Sequence, residues 1–193
     1  MEKYSKNVCE LKYEFVKTYK GNSHTTEILP NMPTDSFLIN EKQLSLLHKF
    51  LDVNPIYSTH ISQKISDIEY TISEGDLNNY WIDSIKHDAS YAPFYPTWML
   101  SAWGLALAAK NFGFEKIIDI GSGDGRIAYC GKVLGLDTSS IEIDENLVNL
   151  QENLSEKTDV RFNPICSDAT VFNFEDVVSK KAIFVIGGVP EIG

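Results

Sequence analysis

A short apolar strand that runs into three alternating glycines and then a helix leaves few folds open to a chain. Residues 116–126 read KIIDIGSGDGR. Ile117, Ile118 and Ile120 are β-branched, as in a short strand buried on both faces of a parallel sheet. Gly121, Gly123 and Gly125 follow at every second position, and the stretch from Arg126 (RIAYCGKVLG) has helical character and stops at Gly135. Glycines at such a turn adopt positive φ cheaply and let a ligand approach bare backbone. The free N–H groups at the start of the helix favour a polar or anionic ligand group.

The spacing narrows the ligand. A dinucleotide fingerprint reads G-x-G-x-x-G, but Arg126 stands where its third glycine belongs, and the GK[ST] end of a P-loop is absent. Asp119 sits shortly before the first glycine. The resulting D-x-G-x-G-x-G pattern resembles the first motif of class I S-adenosylmethionine-dependent methyltransferases. That resemblance implies a Rossmann-like, mostly parallel sheet with flanking helices. It also implies that Asp119 and the loop Gly121, Ser122, Gly123 and Gly125 hold the methionine portion of S-adenosylmethionine. A glycine-rich turn without a ligand is the bland alternative.

The segments that follow keep the order of the motif. SSIEI (139–143) reads as a second strand with Glu142 near its end, where open α/β sheets place their ligands. A carboxylate supplies only acceptors and suits a ribose diol. Asp144 could do the same, and the family pattern favours Glu142, with Ile143 against the adenine. ENLVNLQENLSE (145–156) reads as a helix and 160–165 as a third strand running into Asp168-Ala169. By the resemblance, Asp168 accepts from the adenine amino group and Ala169 is the small residue beside it; a helix N-cap at Asp168 would look the same. AIFVI (182–186) is a fourth strand, followed by GGVPEIG. The Asn/Asp-Pro-Pro-aromatic signature of base amino methylation is missing there; Glu191 could orient or deprotonate an amine, a surface carboxylate being the alternative. The family sheet has seven strands, so its C-terminal strands are expected to be missing here.

The other half carries no visible chemistry. Tyr4, Val8, Leu11, Phe15 and Tyr19 form one helical stripe. Asn40 with Gln43 opens a second helix in a capping-box pattern. GNSHTTE and ILPNMPTDS between them read as a break and a loop. Ile61, Ile65, Ile68 and Ile72 read as a third helix, and Leu77, Trp81 and Ile85 as a short fourth. Residues 1–90 are therefore expected to be a helical extension, and 91–193 the cofactor-binding domain. The stiff YAPFYPT segment (91–97) precedes an apolar helix that Thr97 can cap. It resembles a segment of small archaeal and mitochondrial protein-lysine methyltransferases that closes over the methionine end of the cofactor. That likeness makes Tyr95 and Thr97 candidate ligand contacts, an aromatic packing loop being the alternative.

Charge and composition set the class. Lys and Arg number 17 against 27 Asp and Glu, a net charge of −10, which disfavours binding to a phosphate backbone. Cys9, Cys130 and Cys166 lack metal-ligand or disulfide spacing and read as buried free thiols. His24, His48, His60 and His87 are scattered, so no metal site is expected. No apolar run spans a bilayer and no signal sequence opens the chain, so a cytoplasmic protein is expected, with a homo-oligomer left open. The leading expectation is an S-adenosylmethionine-dependent methyltransferase acting on a protein or small-molecule acceptor, protein lysine first, with no catalytic residue identified. The rivals are a non-catalytic S-adenosylmethionine-binding sensor or interaction module and, less favoured, a nicotinamide-dependent oxidoreductase.

Overall fold

The computed structural model describes residues 1–80 and 94–186. Two sheets share one hydrophobic core. The first is antiparallel, with β1 (Thr25–Pro30), β2 (Tyr57–Ile65) and β3 (Ile68–Gly75) in the order β1-β3-β2. The second is parallel, with β4 (Lys116–Ile120), β5 (Asp137–Glu142), β6 (Asn163–Cys166) and β7 (Ala182–Ile186) in the order β6-β5-β4-β7. The chain steps outward from β4 through β5 to β6, then returns to the other side of β4 for β7. That reversal is the switch point at which open α/β sheets bind ligands. The α/β, Rossmann-like class expected from the glycine motif is the one observed, and the described residues contain four parallel strands.

The helices are α1 (Glu2–Thr18), α2 (Glu41–Val53), α3 (Met99–Asn111), α4 (Arg126–Val133) and α5 (Glu145–Thr158). α1 buries the Tyr4, Val8, Leu11 and Phe15 stripe. α2 begins in a full capping box: Gln43 N–H donates to the Asn40 side chain, and the Gln43 side chain accepts from Asn40 N–H. α3 is buried nearly all round and lies between the two halves, its small residues allowing close approach. The Tyr4 ring packs where a side chain on Gly104 would stand, and its hydroxyl donates to Leu100 O. α2 reaches α4 and α5: the Phe50 and Tyr129 rings stand 4.6 Å apart, Tyr129 donates to Leu46 O, and Lys49 donates to Thr158 O.

The extension is only partly helical. The Ile61, Ile65, Ile68 and Ile72 stripe is a β-hairpin, not a helix. Ile61 pairs across the strands with Ile72 and Ile65 with Ile68, so two cross-strand pairs imitate a helical period. The two residues between Ile65 and Ile68 make the turn, Ser66 at φ 48° and Asp67 at φ 69°. Positive φ at both central positions is the primed turn that suits strand twist. The expected break and loop contain β1, which pairs with β3 from Thr25 to Pro30. Its terminal proline is tolerated because β1 is an edge strand. The expected Leu77–Trp81–Ile85 helix lies largely outside the described residues.

Two smaller expectations also change. Of the cysteines only Cys130 is buried, while Cys9 and Cys166 are exposed; all three are free. α3 starts after Trp98 rather than after a Thr97 cap, and no side chain of its own segment caps it. No described helix is long and apolar enough to cross a membrane.

Candidate functional site

The glycine loop leaves β4 at its carboxyl end. Gly121, Gly123 and Gly125 all have left-handed backbone, with φ of 64°, 58° and 77°. Gly121 N–H donates to Ile141 O at 2.9 Å, which ties the loop to the end of β5. Gly125 then caps α4 in place of a polar side chain. Glu142, Asp168 and Ala169 lie at the carboxyl ends of the next two strands. Glu142 Cα is in register with Cys166, and Ser167 N–H donates to Glu142 O. The sheet thus brings Asp119, the loop, Glu142, Ile143, Asp168 and Ala169 to one edge.

Glu142 is buried and already engaged. Its carboxylate accepts from Gly123 N–H at 2.8 Å, Ile143 N–H at 2.9 Å and Asp144 N–H at 3.2 Å. Burial pushes its carboxyl above the usual range, and the three N–H groups pull it part of the way back. Asp144 caps α5 through Asn146 N–H and Leu147 N–H, which commits it to the helix. Asp168 accepts from the Thr170 N–H and hydroxyl in a local turn, and no helix starts there. Asp119 is fully buried, and both its carboxylate oxygens lack a hydrogen-bond partner among the described residues.

The loop has supports that local spacing did not reveal. Gln151, fully buried on α5, donates to Ser122 Oγ at 2.9 Å and Gly123 O at 2.8 Å, and accepts from Ser140 Oγ at 2.6 Å. Arg126, the residue that breaks the dinucleotide fingerprint, is itself buried and spends its donors inside the protein. Its guanidinium donates to Asp124 Oδ1 at 2.9 Å and Oδ2 at 2.6 Å, to Tyr57 Oη at 2.9 Å, to Thr97 O at 2.7 Å and to Glu27. Burial works against its charge, yet Asp124, Tyr57 and Glu27 outweigh that and raise its pKa well above normal. Asn54 donates to Asp124 from the turn after α2. Glu27 Oε2 accepts from Met99 N–H at 2.8 Å, so a carboxylate on β1 caps α3 from a distance. A lone charge inside TTEILP was the available signal for Glu27.

The segment ahead of α3 meets the loop through the Phe94 ring and the Thr97 carbonyl. Phe94 is buried against Gly123: a Cβ there would stand 2.1 Å from the Phe94 ring. Thr97 reaches the site through its carbonyl, on Arg126, and Tyr95 is 69% exposed. Residues 91–93 and Glu191 lie outside the described residues, as does His87. His24, His48 and His60 hydrogen-bond to Asp76, Pro30 O and Ser73 respectively. No group of residues suited to a metal ion occurs among the described residues. A cavity of about 150 Å³ is lined by Leu11, Phe37, Ile65 and Tyr70 of the N-terminal half, apart from the glycine loop.

No family model matches the chain, and comparison with curated proteins gives no match. Among solved structures, an S-adenosylmethionine-dependent methyltransferase from Clostridium acetobutylicum aligns at 16% identity and a TM-score of 0.34, over 47% of this chain and 35% of that one. TehB from Haemophilus influenzae aligns at 24% identity and 0.31, over 53% and 32%. The Pyrococcus abyssi tRNA (uracil-54, C5)-methyltransferase, solved with S-adenosyl-L-homocysteine, aligns at 17% and 0.35, over 57% and 24%. The chain thus spans well under half the length of each. Likeness of this size carries no argument about activity, and the fold rests on the chain's own strand order.

Proposed function

We propose that this chain binds S-adenosylmethionine at the carboxyl edge of its parallel sheet and transfers the methyl group to an acceptor amine, a protein lysine first. The observation that carries this reading is one arrangement: three left-handed glycines after the central strand, with Glu142 and Asp168 ending the next two. The loop takes the methionine portion beside Asp119, Glu142 the ribose hydroxyls, Ile143 an adenine face, and Asp168 with Ala169 the adenine edge. Tyr95 and Thr97 flank the methionine end. A sulfonium already makes its methyl electrophilic, so the protein's part is to hold donor and acceptor in line. The acidic chain suits a basic acceptor better than a nucleic acid.

A second reading, a cofactor-binding module without turnover, draws on Phe94, whose ring covers the Gly123 backbone that a ligand must approach. Calorimetric titration with S-adenosylhomocysteine tests the cofactor common to both. Transfer of label from S-adenosylmethionine to a lysine-rich protein separates them: methylated product supports the enzyme, and tight binding without product supports the module.

A further inference from the structure

The N-terminal half holds a small cavity of its own. α1, the loop ahead of α2, the turn of the β2–β3 hairpin and β3 line a space of about 150 Å³. None of the lining residues belongs to the glycine loop or to the parallel sheet. Pockets for larger organic ligands run to roughly 300–1,000 Å³. An apolar cavity of roughly 150 Å³ takes one benzene ring. The walls are braced before any ligand arrives, which lowers the cost of binding. The Asn7 side chain donates to Ser36 O at 2.8 Å, and the Phe37 ring meets the Tyr4 ring edge-on with centroids 6.3 Å apart.

The lining has three parts. Leu11, Phe37 and Ile65 are buried and supply an apolar wall. Glu10 and Glu14 stand one helical turn apart on one face of α1 and bring two partly exposed carboxylates to the same space. Lys6 lies 3.7 Å from Glu10 Oε1 and Lys17 lies 2.8 Å from Glu14 Oε1. Each carboxylate thus keeps its other oxygen for a further donor. Tyr70 is the third part. It is only 3% exposed, and its hydroxyl has no hydrogen-bond partner among the described residues. A buried phenol ordinarily finds one. The cavity that Tyr70 lines is where such a partner can enter.

We propose that this cavity is a second ligand site, for a small amine that carries one hydroxyl-bearing aromatic ring. The ring fills the space beside Leu11, Phe37 and Ile65. Its hydroxyl pairs with the buried Tyr70 hydroxyl, and the ammonium stays at the mouth with Glu10 and Glu14. Each part of the ligand follows from one part of the lining. An apolar wall of this size favours a single ring. A lone phenol favours a hydroxyl, which both donates and accepts, and paired carboxylates favour an ammonium, which only donates. An anion at that end meets two like charges. Binding makes and breaks no covalent bond. The site goes beyond the cofactor reading and is independent of it, since it shares no residue with the glycine loop, Glu142 or Asp168.

Calorimetric titration of the whole chain at low salt tests the site with three probes. Tyramine has the ring, its hydroxyl and the ammonium; 2-phenylethylamine lacks the hydroxyl; 4-hydroxyphenylacetate carries a carboxylate in place of the amine end. Tyramine is expected to bind most tightly, 2-phenylethylamine about three- to tenfold more weakly, and 4-hydroxyphenylacetate not at all. Tyr70→Phe breaks no hydrogen bond inside the protein and is expected to lower tyramine to the affinity of 2-phenylethylamine. Glu10→Gln with Glu14→Gln is expected to weaken both amines about three- to tenfold. Both variants are expected to leave the titration with S-adenosylhomocysteine as it is in the parent chain, whichever result that gives. No binding of tyramine at millimolar concentration overturns the proposal. Equal binding of tyramine and 2-phenylethylamine, binding of 4-hydroxyphenylacetate as tight as that of tyramine, or tyramine binding unchanged in either variant overturns it as well.

Discussion

Glu27 on β1 and Arg126 at the start of α4, 99 residues apart in the chain, form a buried ion pair. The pair makes the antiparallel sheet part of the glycine loop's support. The same carboxylate that caps α3 at Met99 also fixes the guanidinium that grips Asp124 inside the loop. A loop of glycines has little stiffness of its own. Here its shape is held from three sides, by Glu27 through Arg126, by Gln151 and by Glu142.

Glu27→Gln keeps the acceptor for Met99 and removes the charge opposite Arg126. Arg126 keeps its two bonds to Asp124, so the change removes one charge-assisted contact and a loss of about 1.5–3 kcal/mol is expected. Urea unfolding of the variant measures it. Glu27→Gln with Arg126→Met is expected to cost less than the sum of the two single changes, since their partners are shared.

Gln151→Ala removes both donors to the loop. It leaves Gly123 O, Ser122 Oγ and Ser140 Oγ without this partner, and a cost of about 1–3 kcal/mol is expected. The folded fraction is expected to bind S-adenosylhomocysteine more weakly, because the loop carbonyl is free to turn. An unchanged Kd with a lowered unfolding midpoint would confine Gln151 to stability.

Gly123→Ala places a methyl group in the Phe94 ring and an L-residue at φ 58°. Left-handed backbone alone costs roughly 1–2 kcal/mol. Phe94→Ala in the same chain is expected to recover the overlap and not the backbone strain. Thermal unfolding of the two single variants and the double variant separates the two contributions. A double variant equal to the sum of the singles would mean that Phe94 does not press on Gly123.

Asp119 has a folded-state pKa raised above its unfolded value. The native protein therefore keeps a proton that the unfolded chain has lost, and stability falls as pH rises through that interval. Glu27 and Glu142, also raised by burial, act in the same direction. Asp119→Asn is expected to flatten the fall, by up to about 1.4 kcal/mol for each pH unit over which the difference holds. Urea unfolding of the ligand-free protein across the mildly acidic to neutral range reads the slope.

The site's main line was legible because its signals are local. The glycines and the β-branched residues before them are contiguous, Glu142 closes the very next strand, and the backbone fixes where each of them sits. The Asn40–Gln43 box was legible for the same reason. The hairpin was not: residues 61, 65, 68 and 72 satisfy a helical step, and the step of three between Ile65 and Ile68 is in fact the Ser66-Asp67 turn. Exposed Ile61, on an edge strand, belongs to no helical core face. Arg126 was legible as an exception to a fingerprint but not as a partner of Glu27, since only the folded chain brings β1 to α4. Phe94 escaped for a related reason: a ring that seats on bare backbone leaves no periodic mark.

The turn also yields a test of the hairpin. Ser66→Asn with Asp67→Gly puts the residues that primed turns favour at two left-handed positions. Relief of left-handed strain, less the added freedom of glycine in the unfolded chain, gives an expected gain of about 1 kcal/mol, against the small loss of the exposed Lys64–Asp67 pair. A clear drop in unfolding temperature would argue against the hairpin and for the helical reading of these residues.

Calorimetric titration of the purified chain with S-adenosylhomocysteine, beside an identical titration with NAD, tests the central claim most directly. Saturable micromolar binding of S-adenosylhomocysteine, weakened in Glu142→Ala and absent for NAD, is the predicted result. Binding of NAD in its place, or of neither ligand, would contradict the account.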